Sequence, residues 1–160
     1  MKILIIYATK YGCTQKAVTL LKSKLGENVS SINIMKDKVP ELKEYDTVIL
    51  GGSIYVGKIQ KQMHKYMLKH AEELKTKRLG LFICAGEQDS VIIEKELKAS
   101  FPEELFSHAV IMETFGGELH IDKISFIEKH VIRIVKGITQ DYSRLSKDKI
   151  DKYAKNILSK

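Results

Sequence analysis

The chain has 160 residues and carries 27 Lys and Arg against 20 Asp and Glu, a formal net charge of +7. That length fits a single domain, residues 1–160, large enough to bury a core without disulfides or metal. The 44% apolar and 29% charged fractions are those of a globular protein rather than a disordered or membrane-spanning one. No apolar run reaches a membrane span, because Lys2 and Lys10 bracket the N-terminal one, and no cleavage signature follows it. The basic residues are mostly lysines spread along the chain and only three are arginine, so they read as solvated helix faces. Nucleic-acid binding is not expected, since it would need clustered cations with interleaved aromatics or a recognisable module. A weak peripheral contact with anionic lipid stays open. The two cysteines, Cys13 and Cys84, form no C-x-x-C, and the five histidines form no metal-binding pair. The expectation is a reducing, cytoplasmic compartment, at most peripheral at the inner face of the membrane, with no metal site and no disulfide framework.

The first predicted element is a strand over the apolar run from Ile3 to Ala8. It breaks into Thr9-Lys10-Tyr11-Gly12-Cys13-Thr14, and a helical pattern follows through Ala17, Val18, Leu21 and Leu25 to Gly26. A strand, a glycine-bearing loop and a helix in that order put free backbone N–H groups at a helix N-terminus, where an anion is stabilised. Residues 29–34 alternate and suit a sheet edge. Thr47-Val48-Ile49-Leu50 is a second largely apolar run that ends at Gly51-Gly52 and reads as a central strand buried on both faces. Ile59, Met63, Tyr66, Met67, His70 and Leu74 form the stripe of one helix. A fourth strand over 79–85, a helix over 90–99 and a fifth strand over 109–112 come next. Ile124, Ile127, Val131, Ile134 and Val135 mark another amphipathic helix closed by Gly137, and Ser146 can cap a last helix. Five strands alternating with helices predict an α/β fold with a parallel sheet. Seven of the ten glycines fall just after predicted strands, the edge at which such sheets bind ligands.

Thr9-x-x-Gly12-x-Thr14 resembles the T-x-x-G-x-T phosphate loop of flavodoxins, and strand count and glycine placement extend the likeness along the chain. The resemblance implies a flavodoxin-like three-layer sandwich of strand order 2-1-3-4-5 with helices on both faces, and FMN as cofactor. Gly51-Gly52-Ser53-Ile54-Tyr55-Val56-Gly57-Lys58 and the later Lys69-His70-Ala71 look like the menaquinone-dependent protoporphyrinogen IX dehydrogenase type of flavodoxin-domain protein. The chain departs from that type in lacking a longer basic insertion in its later half. A receiver domain would need an acidic cluster after the first strand, a dinucleotide-binding domain G-x-G-x-x-G, and a P-loop G-K-[ST]; none is present.

The site implied by the resemblance comprises Thr9, Lys10, Tyr11, Gly12, Cys13 and Thr14 around the phosphate. Ser53, Ile54, Tyr55, Val56, Gly57 and Lys58 would wrap the ring, and Ala85, Gly86 and Glu87 would form a second wall. Tyr55 is the aromatic expected to lie on the flavin with its hydroxyl in water. Gly57 matches the glycine whose peptide reorients on flavin reduction. Cys13 reads as a small loop residue offering its N–H rather than a redox thiol, and Glu87 or Asp89 could face substrate. Lys58 stands where electron-carrier flavodoxins resembling this loop place an acid. A cation there favours the reduced, anionic flavin by roughly 1 kcal/mol at intermediate dielectric and points to two-electron chemistry at higher potential. No catalytic side chain is expected, because the flavin carries the chemistry. The implied function is an FMN-dependent oxidoreductase, with protoporphyrinogen IX as substrate and a quinone or partner redox protein as acceptor. The alternatives are a flavodoxin-type electron carrier and a cofactor-free interaction module.

Overall fold

The computed structural model describes residues 1–55 and 57–159. Its centre is β1 (Ile3–Ala8), buried throughout, whose side chains divide between two cores. Leu4, Ile6 and Ala8 point to one face, and Ile3, Ile5 and Tyr7 to the other. Alternation across a strand with both faces covered is why this segment is apolar at every position. β1 pairs in parallel with β2 (Val29–Asn33) on one side and with β3 (Thr47–Ser53) on the other. β4 (Arg78–Cys84) and β5 (Ile111–Thr114) complete a parallel sheet of order β2-β1-β3-β4-β5.

α1 (Cys13–Leu25) and the last helix, α7 (Lys147–Leu158), cover one face, meeting through Leu21, Ile150, Tyr153 and Ile157. On that face Phe82 stacks on Phe115 at 4.7 Å, with Tyr153 edge-on to both. The opposite face is covered by α2 (Lys61–Lys69), α3 (Ala71–Lys75) and α5 (Glu103–His108), with Met63, Met67, Leu74 and Leu105 buried on it. α4 (Ser90–Ser100) begins after β4, and Ser146 caps α7 as its sequence position predicts, accepting from the Lys149 N–H.

Three boundaries differ from the sequence reading. The long helix divides at His70 (φ −113°, ψ 17°), where the ring stacks on Tyr66, while the apolar stripe continues unbroken across the joint. The fifth strand begins at Ile111 because Ala109 closes α5, donating its N–H to Leu105. A short hairpin of β6 (Glu118–Leu119) and β7 (Tyr142–Ser143) leaves the C-terminal edge of the sheet and carries α6 (Phe126–Lys136) between its strands.

Candidate functional site

The loop after β1 leaves backbone donors free at the start of α1. Gly12 adopts φ 90°, a left-handed conformation that turns the chain into α1 with no side chain capping the helix. The first-turn N–H groups of an uncapped helix have no partner within it, and the helix dipole adds positive potential there. The Gly12 N–H itself is taken by Thr9 Oγ1 at 3.1 Å, which fixes the loop. Thr14 Oγ1 is buried without a hydrogen-bond partner of normal geometry. The Cys84 sulfur approaches it but is a weak acceptor. A buried hydroxyl without a proper partner beside uncapped N–H groups fits a ligand phosphate, whose oxygens would satisfy both.

A cavity of about 270 Å³ opens beside this loop. Thr9, Lys10, Tyr11 and Cys13 line one side, and Ser53, Ile54, Tyr55 and Lys58 the second. The end of β4 supplies Cys84, Ala85 and Gly86. The 55–58 turn is closed by Tyr55 N–H donating to Lys58 O at 2.9 Å and the reverse bond at 3.2 Å, with Gly57 at φ 73°. Gln60 donates its amide to Ser53 Oγ at 2.6 Å, leaving Gln60 Oε1 and Tyr55 OH buried without partners. Both remaining polar atoms are suited to the edge of a heterocycle.

The fourth wall is the β6–α6–β7 excursion, through Glu118, Leu119, Ile132, Lys136, Ile138 and Tyr142. Gly116 (φ 80°) and Gly117 start it, and Arg144 N–H donates to Gly117 O at 2.8 Å to close its base. Lys16 of α1 pairs with Glu118 at 2.7 Å, and Ser143 donates to the same carboxylate at 2.7 Å. Burial pulls the Glu118 carboxyl up, but these two hydrogen bonds outweigh it and hold the group below the usual carboxylate range. Glu128, in a capping box with Ser125 at the start of α6, also accepts from Lys10 Nζ and Tyr11 OH.

Several expectations are corrected here. The Lys10 and Tyr11 side chains turn to Glu128, because α6 brings a carboxylate over the loop, so their contribution to an anion is limited to the backbone. The Tyr55 hydroxyl is buried rather than wet. Glu87 does not reach the cavity: its carboxylate accepts from the Gln88 and Asp89 N–H groups at 2.8 and 3.1 Å. Asp89 caps α4, accepting from Val91 and Ile92 N–H, and does not face a substrate. Val56 lies outside the described residues. Sequence reasoning missed Gln60, Tyr142, Ile132 and Lys136. A trace of Tyr142 exists in Gly86, since a Cβ there would lie 1.8 Å from the Tyr142 hydroxyl, but nothing local names the partner. His120, Asp122 and Asp141 bring ligand-type atoms within 4.8 Å of one another on the excursion. Those of His120 and Asp141 already hydrogen-bond to each other at 3.3 Å.

With the fold and cradle in view, the flavodoxin-domain family pattern matches residues 4–146. The chain belongs to the flavodoxin-domain family. Among curated relatives, this flavodoxin-domain chain is 31% identical over 77 residues to protoporphyrinogen IX dehydrogenase [quinone] of Escherichia coli K12, a match covering 46% of the chain and 42% of that protein. The chain therefore spans less than half the length of the curated relatives it matches. Solved structures share the fold nearly end to end. A flavodoxin from the domain Archaea aligns with TM-score 0.51 at 18% identity, over 98% of this chain and 99% of its own. A Fusobacterium nucleatum flavodoxin variant bound to flavin mononucleotide aligns with TM-score 0.56 at 19% identity, over 98% and 94%. Among the described residues of this flavodoxin-domain protein, no helix is long and apolar enough to cross a membrane.

Proposed function

We propose that the chain binds FMN in this cavity and acts as an FMN-dependent oxidoreductase, with protoporphyrinogen IX as substrate and a quinone as electron acceptor. The observation that carries the cofactor is the Thr14 hydroxyl, buried without a proper partner at the uncapped start of α1. Thr9, Thr14 and the first-turn N–H groups would hold the phosphate, and Tyr55 would flank the ring. Gln60 Oε1 would accept from a ring N–H. Bound FMN would supply the hydride-accepting centre and pass the electrons on. Lys58 is exposed at the cavity rim and favours negative charge on the ring. The substrate is supported by the partial match to the quinone-linked dehydrogenase.

Contact with the membrane that holds a quinone is supported by α6. Ile132 packs inward, while Phe126, Ile127, Ile134 and Val135 are 86%, 74%, 69% and 58% exposed. Of the predicted stripe, Ile127, Ile134 and Val135 therefore face solvent while Ile124 is buried, on a helix that also carries Lys129, Arg133 and Lys136. Exposed apolar residues and cations on one helix suit the surface of an anionic bilayer. Phe126→Ser with Ile134→Ser is expected to lower co-sedimentation with phosphatidylglycerol vesicles about tenfold; unchanged binding would remove this support.

The second reading, an electron carrier without a substrate, is favoured by the near end-to-end alignment with flavodoxins. Anaerobic turnover of protoporphyrinogen IX with a menaquinone analogue separates the two. The first reading expects FMN-dependent turnover, and a two-electron midpoint potential that falls by about 20 mV in Lys58→Gln, which corresponds to the loss of about 1 kcal/mol of screened attraction. No turnover together with FMN-dependent electron passage to a reductase partner would establish the carrier.

A further inference from the structure

Cys13 and Cys84, far apart in sequence, meet at the floor of the cavity. Cys13 is the first residue of α1 and half-buried, whereas Cys84 ends β4 and is buried. Both line the cavity and both pack in the core shared by α1 and α7. The Cys84 thiol lies beside the Cys13 sulfur, which accepts from the Glu118 N–H at 3.2 Å.

We propose that Cys13 and Cys84 are a redox modification site: peroxide converts them to a reversible intramolecular disulfide that disturbs the anion cradle.

The two thiols are electrostatically unlike, as such a reaction needs. The adjacent Cys84 thiol holds the Cys13 thiol below its ordinary range, with help from the Glu118 N–H and Lys16 and against the upward pull of burial. The same interaction, then burial, pushes Cys84 up. Cys13, half-buried at the start of α1, is the nucleophile a peroxide can reach, and the buried Cys84 is the resolving thiol. The Cys13 thiolate attacks one peroxide oxygen: an S–O bond forms, the O–O bond breaks, and the second oxygen leaves as hydroxide and is protonated to water. Cys13 is then a sulfenic acid, oxidised by two electrons, and the peroxide is reduced by two. The Cys84 sulfur attacks the sulfenyl sulfur, forming S–S and breaking S–O, and the departing hydroxide takes the Cys84 proton. Two thiols and one hydrogen peroxide become one disulfide and two waters.

An S–S bond of about 2.05 Å is far shorter than a non-bonded contact between two thiols, so one sulfur must move. Cys84 is held by the β3–β4 ladder, in register with Ser53. Cys13 is the first residue of α1, outside any strand ladder, and its own N–H is one of the free first-turn donors. Its displacement pulls that N–H out of line and strips the Glu118 N–H of its acceptor.

The test treats the purified reduced protein with a small excess of hydrogen peroxide, alkylates it under denaturing conditions and digests it with trypsin. The expected product is a cross-link between the peptide carrying Cys13 and the peptide carrying Cys84, in monomeric protein, lost on treatment with dithiothreitol. FMN titration of the oxidised protein is expected to show at least tenfold weaker binding, restored by dithiothreitol. Two free thiols after oxidation, Cys13 driven to sulfinic acid, or cross-linked protein that binds FMN unchanged would each overturn the proposal. The affinity readout rests on the flavin reading, whereas the cross-link does not. Reduced protein with no affinity for FMN would sink that reading while the cross-linked peptide still decides the disulfide. Cys84→Ala is expected to give no cross-linked peptide; should it fold poorly, the wild-type peptide map decides alone.

Discussion

Replacing Thr14 by valine is expected to raise the dissociation constant for FMN by about 10- to 100-fold, the range for losing a hydrogen bond to a charged group. The same substitution should leave the midpoint of thermal unfolding of the cofactor-free protein within about 2 °C of wild type. The two expectations belong together. Thr14 Oγ1 is buried with no partner of normal geometry, so its removal costs the fold little, and valine keeps the shape of the side chain. A hydroxyl that served as a helix cap would behave the opposite way, with about 1 kcal/mol of stability lost and little change in affinity. Fluorescence quenching of FMN and a thermal melt of the apoprotein check the pair. An unchanged dissociation constant would move the phosphate elsewhere.

Gly116→Ala should be the most disruptive single-methyl change at the site. The residue sits at φ 80°, where an L side chain is strained by about 1–2 kcal/mol. The added Cβ would also lie 1.9 Å from the Arg144 carbonyl oxygen, a backbone atom that cannot rotate away. Strain and overpacking together are expected to cost about 3 kcal/mol, a fall in melting temperature on the order of 6–12 °C for a chain of this size. The damage should be localised. Arg144 and Gly117 close the base of the β6–α6–β7 excursion, so hydrogen exchange should rise first in residues 117–144, ahead of β1 and β3. Retained flavin should fall with it, because that excursion is one wall of the cavity. A melt unchanged from wild type would mean that the base of the excursion can relax freely.

The layered core was legible at particular positions. Ile3, Leu4, Ile5 and Ile6 are apolar without interruption because strand geometry sends neighbours to opposite faces, and here both faces are covered. The cradle was legible for a related reason: Thr9, Gly12 and Thr14 lie within a few residues, and a strand–loop–helix corner is local geometry. The fourth wall was not. β6 and β7 are two residues each, too short for a period to show. The apolar positions of α6 do show a helical period, yet periodicity reports that a face exists and not what covers it. Ile127 and Ile134 look like core residues in the sequence and stand in solvent in the fold. The side chains of Lys10 and Tyr11 could not be placed either, since their partner, Glu128, comes from an element more than a hundred residues away.

By itself the sequence determined the parallel α/β architecture, the order of its central elements and the glycine-bearing corner between β1 and α1. Each is written in residues close together, where backbone geometry and burial act directly. Only the tertiary structure decided what surrounds that corner: Glu128 over the loop, Tyr142 against Gly86, and the two cysteines brought into the lining of one cavity. Those are meetings of distant segments. They are governed by how the sheet twists and how the excursion folds back, and no local pattern of residues encodes them.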